Sequence, residues 1–196
     1  MKTNFITATL LIGLTLTYGC SSNTDSTEKA EKINEERIDK QAVAVSSDAK
    51  DDAKEVTQHM VELANTSMTE YELSKVAAQK ATNPEVKAYA RQAMNDHQQD
   101  DRTLQSIAKQ MNVTLPSSVS NKGQSHIGKL NGMKAGTEFD TQYLDYMADV
   151  NGEALDAADD LEDKAPTDAV KTFAKKILDD DKKHRDQARQ IKNVLD

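Results

Sequence analysis

An all-α fold, a bundle of four long helices, is what this sequence predicts, and three observations carry the prediction. Glycine and proline are scarce, at seven and three residues in 196, while Ala, Lys, Glu, Asp and Gln abound, a balance that favours helices. Apolar side chains recur with helical spacing over four long stretches, and no period-two alternation competes. The breaks between stretches carry residues that start and stop helices.

The chain opens with a different kind of segment. Met1-Lys2 gives a small positive start, Phe5 to Tyr18 carries no charge, and Gly19 precedes Cys20, the sole cysteine, before polar Ser21, Ser22, Asn23 and Thr24. This layout predicts a bacterial secretory signal over residues 1–19, cleaved to leave Cys20 for lipidation. Leu16 and Thr17 precede the cysteine by four and three residues, a departure from the usual leucine at the second of these positions. A membrane span needs about 20 apolar residues, more than this run offers. The expected address is therefore the cell envelope, with the domain facing the periplasm on a lipid anchor. One cysteine makes no internal disulfide, so the fold rests on packing. Residues 20–47 are polar apart from Ile33, Ile38, Val43 and Val45. They predict a solvated tether, helical in its second half, that holds the domain off the lipid surface.

Residues 48–196 carry the four helices. The first runs from about Asp48 to Asn83-Pro84, where Asn83 suits an N-cap and Pro84 the first turn of the second helix. The second ends near Met111, before Thr114-Leu115-Pro116. Residues 112–136, with Pro116, Gly123, Gly128, Gly132 and Gly136, predict a long connection with a short helix near 120–132. Thr137 is the expected cap of the third helix, which ends near Lys164. Ala165-Pro166-Thr167 forms the last turn, and the fourth helix fills the remainder. Seam positions follow on each helix: Leu63, Ser67, Glu70, Ser74 and Ala77; Val86, Ala90, Ala93, His97, Leu104, Ala108 and Met111; Phe139, Tyr143, Met147, Val150, Ala154, Ala157 and Leu161; Ala174, Ile177, Asp181, His184, Ala188, Ile191 and Leu195. Alternating steps of three and four residues are those of packed helices.

A net charge of -8 without a basic cluster argues against nucleic acid as a partner, since phosphate contacts need a Lys/Arg surface. It argues equally against electrostatic adhesion to anionic lipid, leaving the acyl group on Cys20 as the membrane link. No nucleophile-and-base constellation and no phosphate-cradling glycine loop is present.

Glu70, His97, Asp181 and His184 are polar residues on apolar seams, each near the middle of its helix. Glu70 precedes the Asn83-Pro84 turn by about 13 residues and His97 follows it by about as many, which places both at one depth of an antiparallel pair. Asp181 and His184, spaced i, i+3, can face one centre, as the Glu-x-x-His element of di-iron carboxylate bundles does with Glu in place of Asp. A carboxylate and imidazoles converging in a core can bind a transition metal, with Fe, Mn, Zn and Cu as candidates. The same residues can instead form a hydrogen-bonded network that fixes register, with Glu70 and His97 as a pair, or a proton-transfer site. His59 reads as surface, Met60 as core and His126 as a solvated loop residue. Met60, Met94, Met111 and Met147 read as core filler. In the run Asp179-Asp180-Asp181-Lys182-Lys183, all but Asp181 read as a solvated face.

Residues from about 55 to 192 resemble the bacterial envelope family known as domain of unknown function 4142. The segments that carry the resemblance are Glu70-Tyr71-Glu72-Leu73-Ser74-Lys75-Val76-Ala77, Asn83-Pro84-Glu85-Val86-Lys87, Asn95-Asp96-His97, Leu115-Pro116, Phe139-Asp140-Thr141-Gln142-Tyr143-Leu144, and His184 with Ala188. The resemblance implies a ferritin-like antiparallel four-helix bundle, secreted or lipidated, with no established reaction and a ferritin-type crossover over 112–136. Two departures stand out: Asn151 where family members commonly carry a His, and Asp179 where a Pro is usual.

The function expected from the sequence is a non-enzymatic binding or structural role at the envelope, linked to stress by analogy with ferritin-like proteins alone. The alternative is a metal-binding or oxidoreductase bundle using Glu70, His97, Asp181 and His184. A third reading is a module that offers a helix face or the 112–136 connection to an envelope protein partner.

Overall fold

A computed structural model describes residues 25–41 and 46–195. Cys20 and the segment 1–19 lie outside the described residues. Six helices occur, and no strand is present among the described residues: α1 Ser26–Gln41, α2 Ser47–Lys80, α3 Pro84–Met111, α4 Asn121–Gly132, α5 Thr137–Asp163 and α6 Asp168–Leu195. The four long helices are the four expected. The two shorter ones bring the number to six: α4 is the short helix expected near 120–132, and α1 is additional to the bundle that was expected.

Local signals set most boundaries. Asn83 Oδ1 accepts from the Glu85 and Val86 amides at 2.7 and 3.3 Å, and Pro84 opens α3 where its missing N–H costs nothing. Asn112, in the left-handed conformation with φ 57°, closes α3. The cap of α5 is Gly136 rather than Thr137, which is already helical, and no side chain caps it. Gly136 has φ 152° and ψ -179°, a conformation open essentially to glycine alone. Asp140, on the first turn of α5, accepts from the Thr82 amide and hydroxyl and from the Asn83 amide at 2.7–3.1 Å, and so ties the α2–α3 turn to α5.

Cross-helix contacts give the directions. Glu70, Ser74 and Thr82 of the ascending chain meet Asn151, Tyr143 and Asp140, so α2 and α5 are antiparallel. Tyr89 meets His184 and Asp100 meets Lys176, so α3 and α6 are antiparallel as well. α2 packs on α3 and α5, and α6 packs on α5 and α3. The parallel helices α3 and α5 therefore stand at opposite corners. Residues 112–136 climb the length of the bundle between them, with α4 lying against α2 and α5.

The segment read as a solvated tether is instead docked. In α1, Ala30 and Asn34 are buried. Asn34 Nδ2 donates to the Thr114 carbonyl at 2.9 Å, and its Oδ1 accepts the Thr114 amide at 2.7 Å. Arg37 donates to the Asn112 carbonyl at 2.5 Å and to the Thr114 hydroxyl at 3.1 Å. α1 also packs on α2, and Ser26 and Asp25 accept the amides of Ser117, Ser118 and Asn121. The hydrogen bonds that fix it are polar, which is why apolar periodicity does not announce the docking.

Two apolar clusters fill the bundle. One contains Met60, Leu104, Leu161 and Phe173, and the other Leu73, Tyr89, Tyr143 and Met147. Each large apolar side chain buried in them contributes about 1.5–3 kcal/mol. The clusters do not merge. Ser67, Glu70, His97, Asn151, Asp181 and His184, all buried, form a polar layer between them.

Candidate metal centre

Four helices supply the layer. Glu70 comes from α2, His97 from α3, Asn151 from α5, and Asp181 with His184 from α6. Each projects inward because it occupies a seam position. Glu70, Asp181, His97 and Asn151 are at most 2% exposed, and His184 is 3% exposed.

Glu70 is held at one oxygen and approached at the other. Asn151 Nδ2 donates to Oε1 at 2.5 Å, and His97 Nδ1 stands 3.2 Å from Oε2, close enough for an ion pair but without hydrogen-bond alignment. Asn151 Nδ2 also donates to the Met147 carbonyl at 2.7 Å, so both amide hydrogens are engaged. Ser67 donates to the His97 carbonyl at 3.1 Å, and Tyr89 to the His184 carbonyl at 3.2 Å.

One oxygen or nitrogen from each of Glu70, His97 and Asp181 lies within 4.8 Å of the other two. His184 is not in that trio. Its Nε2 reaches outward to Asp96 Oδ2 at 3.2 Å, and its ring lies 5.3 Å from that of His97. Five buried atoms of the layer have no hydrogen-bond partner: Glu70 Oε2, His97 Nε2, Asn151 Oδ1, Asp181 Oδ1 and His184 Nδ1. Each of the five can ligate a metal ion when it carries no proton.

The electrostatics match this geometry. Burial, then the neighbouring Asp181, pushes the Glu70 carboxyl well above its ordinary value, and burial with Asp100 and Asp180 does the same to Asp181. Burial, then His184, pulls the His97 imidazole down to about 3. Burial likewise lowers His184 against the opposing pull of Asp96. Lys176, bonded to Asp100 and, at 2.9 Å, to Asp180, supplies a cation at the edge of the layer.

Other side chains fall differently from their sequence readings. His126 is not a loop residue; it lies on α4, with its ring 4.4 Å from that of Tyr146 and Nδ1 buried. His59 is mostly covered, with 14% of its side chain exposed, and its Nδ1 pairs with Glu62 at 3.1 Å. Met60 and Met147 are core, and Asp179 is exposed. Asn151 and Asp96 were absent from the expected site. Asn151 carried a signal, a polar residue beside Val150 on the seam of its helix; Asp96, off the seam of its own, carried none.

A family profile described as domain of unknown function (DUF4142) matches residues 40–191. Among solved structures, a DUF305 fragment from Deinococcus radiodurans is similar with a TM-score of 0.64 and 11% identity, over 71% of this chain and 96% of that one. A DUF305 protein from Streptomyces coelicolor, provisionally described as secreted, gives 0.62 and 9%, over 71% and 92%. At such identities the likeness concerns the fold. No curated protein matches in sequence. Among the described residues no helix is long and apolar enough to cross a membrane.

Proposed function

The chain belongs to the DUF4142 family, and we propose that this member is a non-enzymatic envelope protein whose ferritin-like bundle binds a divalent first-row transition metal at Glu70, His97 and Asp181. The up-down-down-up order of α2, α3, α5 and α6 supports the ferritin-like reading. One observation carries the metal: three donors from three helices converge within 4.8 Å, and each residue brings a buried oxygen or nitrogen without a hydrogen-bond partner. Bonds of about 2.0–2.2 Å bring cis donors to roughly 3 Å apart, so small rotamer changes close the trio around an ion.

Energetics favour a ligand over a network. Each buried polar group left unpaired costs about 1–3 kcal/mol. A cation offsets that cost and also reverses the upward pull on both carboxyls. Two carboxylates, one imidazole and the free Asn151 carbonyl favour Fe(II), Mn(II) or Zn(II) over copper(I). His184 acts from outside the trio by packing on His97. Cys20 serves as the lipid anchor.

The test is retention of iron, manganese, zinc or copper by the purified protein after desalting. About one ion per chain is expected, lost in Asp181→Asn with His97→Gln and only weakened in His184→Ala. Retention undiminished in the double variant sinks the assignment. A second reading, a register-fixing network, draws on the Glu70–Asn151 hydrogen bond; it expects no retained metal and a higher melting temperature for His97→Leu.

A further inference from the structure

A cavity of about 420 Å³ opens between α2, α3 and residues 117–119, and its lining includes His97. His97 is thus shared between the buried trio and a surface-connected space. The walls are mixed, mainly apolar, with Ser67, Tyr71 and Ser118 offering hydroxyls and Glu72 and Asp101 adding carboxylates. No lysine or arginine is among the lining residues. We propose that this cavity is the port through which a hydrated divalent cation reaches Glu70, His97 and Asp181, with Glu72 and Asp101 as the capture carboxylates. The inference rests on the metal reading above.

The physical argument has three steps. A buried centre between two apolar clusters needs a wet path, because an ion sheds its hydration shell only where oxygen ligands replace it. This cavity holds tens of cubic ångströms per water for several waters at once, and its hydroxyls can exchange with them. Carboxylates in a cleft also raise the local cation concentration and the rate of capture, the more so at low ionic strength. Asp101 accepts from the neutral Gln105 at 2.8 Å and carries no ion pair among the described residues, whereas Glu72 is paired with the half-exposed Lys75 at 3.1 Å, a surface pair that an arriving cation competes with.

The rival route is the His184–Asp96 pair, since Asp96 is 41% exposed. The cavity that reaches His97 includes neither Asp96 nor His184. The experiment is stopped-flow loading of the purified protein with cobalt(II), read by visible absorbance, at low and high salt. Glu72→Gln with Asp101→Asn is expected to slow loading about fivefold or more at low salt, with unchanged final absorbance. Ser118→Trp, at an exposed position, is expected to slow it at both salts by filling the cavity. Unchanged rates in both variants, or slowing by Asp96→Asn instead, overturns the port while leaving the metal site intact. Failure of the unaltered protein to take up cobalt overturns both.

Discussion

Asn151 donates one amide hydrogen to Glu70 Oε1 at 2.5 Å and the other to the Met147 carbonyl at 2.7 Å. The side chain is thereby locked, and its Oδ1 is left facing the layer without a partner. An amide at this position both positions the Glu70 carboxyl and offers a neutral oxygen beside it. The amide neither titrates nor competes for the proton on Glu70.

Asn151→Ala removes that support. The Glu70 oxygen is left buried and unpaired, so the metal-free protein is expected to lose about 1–3 kcal/mol in urea unfolding. A double-mutant cycle with Glu70→Gln reads the coupling directly. No coupling would mean that the contact contributes nothing.

The Asp181 carboxyl gives the metal-free protein a pH dependence of known sign. Its folded pKa is raised, mainly by burial, while the unfolded chain ionises near pH 4. Its stabilising contribution is complete below pH 4 and declines as pH rises toward and through the folded value. Asp181→Asn does not titrate. The melting temperature of the variant minus that of the parent should therefore grow from pH 4 to pH 8 in the presence of chelator. A difference independent of pH contradicts the burial of an ionisable group there. His97, held to about 3, works on the acid side: its contribution is present above about pH 6.5 and is lost as pH falls toward its folded value.

Gly123 lets α4 lie close against α2 at Thr69. A Cβ there would press into the side chains of Val119 and Thr69. Gly123→Ala is expected to destabilise by about 1–3 kcal/mol despite a better helix propensity, measured by chemical unfolding. A stabilised variant would show that α4 is free to move off α2.

Asn34→Ala cuts the two hydrogen bonds that hold α1 to Thr114. Amide exchange over residues 26–41 should accelerate by about tenfold or more, while the centres of α3 and α6 keep their protection. Equal exchange in both proteins would place the anchorage of α1 in Arg37 or in the Asp25–Asn121 contact.

The long helices were legible because each signal was local or periodic. Asn83-Pro84 is a cap followed by a first turn, and the seams of α2, α3, α5 and α6 repeat with helical spacing. The shared depth of Glu70 and His97 followed from counting residues either side of that turn, and they lie 3.2 Å apart. What could not be read has physical reasons. α1 docks through Asn34 and Arg37, and polar contacts leave no periodicity. The short helix α4 was expected near 120–132, but nothing local shows that Gly123 within it serves contact with Thr69 and Val119. Asp140 reads as an acidic residue suiting a helix start, and only the fold brings Thr82 and Asn83 to it. His184 shares a seam with Asp181, but seam membership leaves the rotation about the helix axis open by tens of degrees. That rotation turns its Nε2 to Asp96 instead of the trio.

The most direct test of a metal held by Glu70, His97 and Asp181 is anomalous diffraction from crystals grown with manganese, iron or zinc, recorded on both sides of the absorption edge. The account predicts one strong peak per chain within about 2.0–2.3 Å of a carboxylate oxygen of Glu70 and of Asp181 and a ring nitrogen of His97. Crystals saturated with metal that show peaks only at surface carboxylates, with the layer closed by hydrogen bonds among its own side chains, would contradict it.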